Sequence, residues 1–274
     1  MGADIEGPKR NIFEGEDLKS GEQRDALYTQ FDTLVRVISE KATEITGRDR
    51  NEVLYKMLAT FFFAKGWKTF QSIYLLCSRQ FAEDAAILVR SIFEMVVNLL
   101  YISKDPQNRA SLFVEFDYIE RQKRLDRLSK SSDDPWGQAL LKSVDPVTIE
   151  TLVSEYNRVR ARYPKDWLWS GESTKKMASD VGLAFHYDWI YWVLSDLAHT
   201  SPRAVKEYIS GGRDGLTVGV ESTEKDIDRV WFTACRYFLI LVDKKNEAFG
   251  LGFDDSIETL TDTLVAMHKP KEDS

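Results

Sequence analysis

Between Phe81 and Tyr101 the chain reads FAEDAAILVRSIFEMVVNLLY, and inside this apolar run Arg90, Glu94, Asn98 and Tyr101 recur at helical spacing. At about 100° per residue these four side chains share a sector of about 80°, with Glu83 inside it and Ser91 at its edge. An arginine beside a glutamate can bind an anion, orient a substrate or stabilise developing charge. Every other face of the helix is Ile, Leu, Val, Phe, Met or Ala, as in the central helix of a bundle. Burying Arg and Glu costs several kcal/mol per ion unless both are paired, so the stripe requires a polar partner.

A second stripe lies in AFHYDWIYWVLSDLAHTSPR, where Tyr187, Tyr191, Ser195 and His199 fall within a sector of about 120°, Asp188 among them. Ile190, Val193, Leu194 and Leu197 occupy the opposite side. Tyr, Ser and His supply adjustable donors and acceptors, which a buried Arg/Glu pair needs. The expectation is that the stripes face each other, with Arg90, Glu94, Asn98 and Tyr101 on one wall. Tyr187, Tyr191, Ser195 and His199 form the other wall of a ligand site. The plainer reading is that inward polar stripes only fix helix register.

The pattern Arg90-Ser91-x-x-Glu94 with Asn98 and Tyr101, followed by Tyr187, Tyr191 and Ser195-x-x-x-His199-x-Ser201, resembles a widespread prokaryotic helical family known only as a domain of unknown function. The resemblance covers roughly residues 50 to 210. It implies a helical bacterial or archaeal cytoplasmic protein, with a phage-defence or mobile-element setting as a further expectation. HEPN nucleases are also helical, but their cutting motif places a His within two turns after an Arg. None of His186, His199 and His268 follows an Arg in that way.

Other chemistry is weakly supported. His199 as acid or base with Arg90 as charge stabiliser, and Glu94 beside them, would make a metal-independent ribonuclease or related phosphodiester enzyme. Glu94, Asp188 and His199 would have to converge to hold a metal, and no E-x-x-H or H-E-x-x-H pair exists; no metal or cofactor is expected. Ser195 and His199 lack a G-x-S-x-G elbow, and GGRDGLTVGVES lacks the G-K-[ST] ending of a phosphate loop. Lys123, Arg124, Arg127 and Lys130 share about 120° of one helix, a candidate nucleic-acid contact, although Glu120 and Asp126 intervene. Arg158 to Lys165 is a second basic run, and Trp167 and Trp169 suit a loop anchor, a cavity lid or a base-stacking platform.

The elements that must position these residues are helical. Ser20 with Gln23 opens a first helix through Leu27, Phe31, Leu34, Val35, Ile38, Ala42 and Ile45 to Gly47; Asp49 with Glu52 opens an aromatic one, which Gly66 is placed to kink. Asp105-Pro106 and Asp145-Pro146 start two more, with 129–137 read as a loop between them. A short helix spans Thr174 to Asp180, a long one about Glu224 to Phe249, and Asp255 with Glu258 caps a final one to about Met267. The fold class is all-α: an irregular bundle of about nine helices with at most one small β-hairpin near 210–222. Residues 1–18 read as a loose arm, 19–268 as one domain and 269–274 as a frayed tail.

The 274 residues with 43% hydrophobic and 12% aromatic content suit a packed globular chain, and the net charge of −7 opposes whole-surface binding to nucleic acid or membrane. Cys77 and Cys235, each in an apolar run, read as buried free thiols of a cytoplasmic protein. Three functions follow: a binding or interaction module for a small anionic or nucleotide-like ligand, the phosphodiester enzyme, or a structural homo-oligomeric scaffold built on helices 50–78 and 224–249.

Overall fold

The computed structural model describes residues 20–42, 44–130, 134–188, 209–212, 215–218 and 226–267. Within them the protein is all-α apart from one hairpin. The helices are α1 (Ser20–Lys41), α2 (Arg50–Ser78), α3 (Ala82–Ser103), α4 (Pro106–Lys130), α5 (Pro135–Ser143), α6 (Pro146–Val159), α7 (Thr174–Asp180), the single turn α8 (Ala184–His186), α9 (Ile227–Phe249) and α10 (Asp254–Met267). Strands β1 (Ile209–Gly212) and β2 (Gly215–Val218) pair antiparallel, with Ile209 opposite Val218 and Gly212 opposite Gly215.

Local chemistry accounts for most boundaries. Asp49 caps α2 by accepting from the backbone N–H groups of Asn51 and Glu52, both at 2.9 Å. Asp145 does the same for α6, accepting from Thr148 N–H at 3.0 Å, and Pro146 takes the first helical position. Asp134-Pro135 is a third such start: Gly137 N–H donates to Asp134 Oδ2 at 2.7 Å, and α5 follows. The first turn of this helix falls in the stretch 129–137 read from the sequence as loop, and its remainder was not anticipated, because Gly137 and the Ser-Asp run ahead of it hide the cap. Ser173 caps α7, and Gly182, at φ +80°, lies just past its end. The first helix stops at Lys41, short of Gly47. Ala42 to Thr46 contain β-branched residues, and the Thr46 carbonyl accepts from Lys56 Nζ at 2.9 Å rather than from a helical N–H.

Helices α2, α3 and α9 pack on one another and form the core, with α1 laid across α2 and α9. Leu27, Phe31, Leu34, Val35 and Ile38 of α1 are buried at the spacing read from the sequence. Their neighbours are aromatic: Phe31 meets Phe70 at 5.0 Å, and Phe70 meets Phe238 and Trp231 at 4.8 Å each. The rings of α2 and α9 are therefore spent largely on each other inside one chain. Gly66 lies within the uninterrupted α2. Its role is close approach, since a Cβ there would sit 2.5 Å from Leu241 Cδ1. Helix α3 is long and apolar enough to cross a membrane by length and composition, but 61% of its most apolar window is buried in the protein. On the outer side α5 and α6 pack on α4, around a small cluster of Ile119, Val159 and Tyr163.

Candidate functional site

The polar stripe of α3 divides in two. In its C-terminal half Asn98 donates from Nδ2 to the Glu94 carbonyl at 2.9 Å, and its Oδ1 accepts from Trp169 Nε1 at 2.9 Å. The Trp169 indole also meets the Tyr101 ring edge-on at 5.8 Å and Phe113 at 5.1 Å. Tyr101 is buried, and the Arg109 guanidinium stacks 3.7 Å from its ring while donating to the Tyr101 carbonyl at 2.7 Å. Asn98 and Tyr101 thus serve to dock the loop after α6. Of the roles weighed for the tryptophan pair, Trp169 takes that of anchor, whereas Trp167 stands outside. The sequence offered no register for this contact, because 71 residues separate its partners.

In the N-terminal half Arg90 Nε approaches Glu94 Oε1 at 3.3 Å, with side-chain exposures of 21% and 43%. The expected pair forms, but at a half-buried edge of α3 rather than in the closed interior, because the bulk of the core lies on the faces turned to α2 and α9. Of the second stripe Tyr187 is described, half-buried against the core; Tyr191, Ser195 and His199 lie outside the described residues. Asp188 pairs with Lys175 at 2.7 Å on the surface. Among the described residues no three His, Cys, Asp or Glu side chains converge as metal ligands would.

A contact that the sequence did not announce joins α3 to the residue just before the second stripe, through His186 and Tyr237. His186 Nδ1 lies 3.0 Å from the Tyr237 hydroxyl, and the Tyr237 ring packs on Phe93 of α3 at 5.2 Å. Burial lowers the His186 pKa, with Arg236 adding to the effect, and burial pushes the Tyr237 phenol up, so both are neutral at pH 7. The chain therefore enters the 187–199 segment one side-chain layer from the middle of α3, where Arg90 and Glu94 flank Phe93.

The basic residues are mixed in status. Lys123 Nζ is held by Glu120 Oε1 at 3.0 Å and by the Asp166 carbonyl at 2.9 Å, while Arg124, Arg127 and Lys130 are exposed. In the second basic run Arg158 and Arg162 turn inward onto Glu115 of α4. Arg158 reaches it at 3.3 Å, Arg162 pairs with its other oxygen, and Arg50 from the start of α2 stands 3.7 Å away. Glu115 is 4% exposed.

A further buried charge is Lys245 of α9, 1% exposed, with no carboxylate within ion-pair distance among the described residues. Its Nζ donates to Thr60 Oγ1 at 2.6 Å and sits 3.5 Å from the centre of the Phe249 ring. Desolvation lowers its pKa to about 8. The signal for it was present in the sequence, since Lys245 falls four residues after Leu241 on the apolar face of α9. The neighbouring Asn246 ties α9 to α10: its Oδ1 accepts from Phe253 N–H at 3.0 Å and its Nδ2 donates to Asp254 at 3.1 Å.

Comparison with curated proteins and with solved structures returned no match. A family model described as "Family of unknown function (DUF5677)" matches residues 56–216, an interval that takes in the whole α3 stripe, the Trp169 loop and Glu115 with Arg158 and Arg162, but not Lys245. That interval is more than half of the chain, and the protein belongs to this family of unknown function.

Proposed function

We propose that the protein is a binding module whose ligand site lies along the half-buried edge of α3. Arg90 and Glu94 stand on one wall, with Tyr187, Tyr191, Ser195 and His199 on the other, and the ligand is a small anionic or nucleotide-like molecule. The supporting observation is the His186–Tyr237–Phe93 contact, which ties the start of the second polar segment to the turn of α3 that carries Arg90 and Glu94. The division of labour in the stripe supports the reading too. Asn98 and Tyr101 are tied to Trp169 and Arg109, so they brace the site, and the ionic pair lies at the half-buried edge of α3. A guanidinium there offers several donors to an anion while Glu94 fixes its orientation.

The test is thermal-shift and calorimetric titration of the full chain with a panel of nucleoside mono-, di- and triphosphates, in wild type, Arg90→Ala and His199→Ala. Ligand-dependent stabilisation in wild type, weakened at least about tenfold in both variants, is the expected result. A panel that shifts nothing, or shifts all three proteins alike, removes the reading. Incubation with labelled RNA on the same samples separates binding from cleavage: a rate lost in His199→Ala would make this a phosphodiester enzyme instead.

A further inference from the structure

From a different face of the molecule, we propose that the outer side formed by α4, α6 and the loop after α6 binds single-stranded nucleic acid. Its first component is the guanidinium fan on Glu115. A buried carboxylate anchors Arg50, Arg158 and Arg162, yet their side chains remain 73%, 48% and 39% exposed. Glu115, with Glu155 on Arg158 at 2.7 Å, supplies two negative charges against three positive ones. Each guanidinium carries five N–H donors, and Glu115 fixes their positions without engaging them all. Arg158 has the densest support, donating twice to Glu155 and once to Glu115, and Arg162 also donates to Ser111 Oγ at 3.0 Å.

The second component continues along α4. Lys123, Arg127 and Lys130 lie within about 120° of Glu115 around the helix. They extend the positive track over roughly 20 Å from Glu115, at about 1.5 Å per residue. That length matches several successive phosphates and exceeds what one small anion can span.

The third component is aromatic. Three of the tryptophans, Trp67, Trp169 and Trp231, are packed against the core, while Trp136 and Trp167 are 73% and 66% exposed. Both exposed indoles belong to segments held against α4. Trp167 follows Asp166, whose carbonyl is held by Lys123 Nζ at 2.9 Å, and Trp136 stands in the first turn of α5, which packs on α4. Exposed indoles interleaved with fixed cations are the arrangement that lets bases stack while the backbone follows a basic groove. A duplex hides its base faces and would leave both indoles unused. Acidic neighbours moderate the field: Glu120 pairs with Lys123, and Asp126 accepts from Gln122 at 2.8 Å. Binding is therefore weighted toward stacking, with a shallow salt dependence equivalent to about two or three phosphates, a log–log slope near −2.

Fluorescence anisotropy of the full chain with labelled oligo(U) and oligo(dT) of about 15 nucleotides tests this, beside a duplex of equal length and phosphatidylserine vesicles. The expected result is binding to at least one single strand, about tenfold or more tighter than to duplex, and weakened about tenfold in Trp136→Ala/Trp167→Ala. Arg158→Gln weakens it several-fold and flattens the salt slope. Arg90→Ala leaves it unchanged, which keeps this outcome distinct from that of the α3 site. No single-strand binding at about 100 μM, equal or tighter duplex binding, indifference to the double tryptophan change, or capture by vesicles instead each overturns the proposal. Trp136 and Trp167 are exposed, so circular dichroism of the double variant is expected to match wild type.

Discussion

Glu115 and Lys245 are both ions buried by the packing of helices, and the protein treats them in opposite ways. Glu115 gathers cations from α2, α6 and the turn after it. Lys245 has a hydroxyl and a ring face. The difference follows from position. Glu115 lies where α4 meets the outer helices, close enough to solvent for three long arginine side chains to reach it while remaining 39% to 73% exposed. Lys245 lies in the α2–α9 seam, where its described partners are Thr60 and Phe249 and desolvation is offset only by one hydrogen bond and a cation–π contact. One charge organises its surroundings; the other is tolerated by them.

If that contrast is right, the two charges respond to removal with opposite signs. Glu115→Ala is the largest expected loss, about 2–3 kcal/mol in urea unfolding. That is below the 3–5 kcal/mol typical of a broken buried pair because the arginines can turn to water. Lys245→Met is expected to gain about 1–2 kcal/mol, because an apolar side chain of similar volume removes the desolvation cost. A loss of stability at 245 would erase the contrast and show the ammonium to be a structural partner.

The pH profile sharpens the comparison. Lys245 has a folded pKa of about 8 against an ordinary 10.5, so between those values the unfolded chain holds the extra proton. Stability contributed by this group therefore rises as pH climbs from about 8 toward 10.5, and below 8 the full cost of the buried cation is present. Denaturation midpoints measured at pH 7.5, 8.5 and 9.5 should climb in wild type relative to Lys245→Met; parallel profiles would sink this account. The smallest effect is Arg50→Ala, below about 0.5 kcal/mol, because its contact with Glu115 is 3.7 Å long and its side chain is 73% exposed. A cost as large as that at Glu115 would mean that the fan acts as one unit.

The two charges also show what the sequence made legible. Periodicity located nearly every helix, because burial repeats every three to four residues: the α1 core positions, the span of α7, and the Asp-Pro starts of α4 and α6 are all local signals. The same logic would have flagged Lys245 and Glu115 as ions on apolar faces, but periodicity names no partner. Asn98 could have met anything polar. That it meets Trp169 depends on how the loop after α6 returns to α3, which is set by tertiary packing around Phe113 and Tyr101. The helix α5 was hidden for a local reason, a glycine in its first turn that also donates to the cap.

Gly66 gives the seam its dimensions. In the middle of α2 a glycine forfeits about 1 kcal/mol of helix propensity relative to alanine, and the return is proximity, since Leu241 fills the space a methyl group would take. Helix spacing at that level sets how closely α9 approaches α2, and so the distance the Lys245 ammonium must span to reach Thr60. An absent carbon atom thus acts as a gauge for a charge about a turn and a half along α2. Widening the gauge by one methyl would lever the lysine away from its hydroxyl and toward water, raising its proton affinity without touching the residue itself.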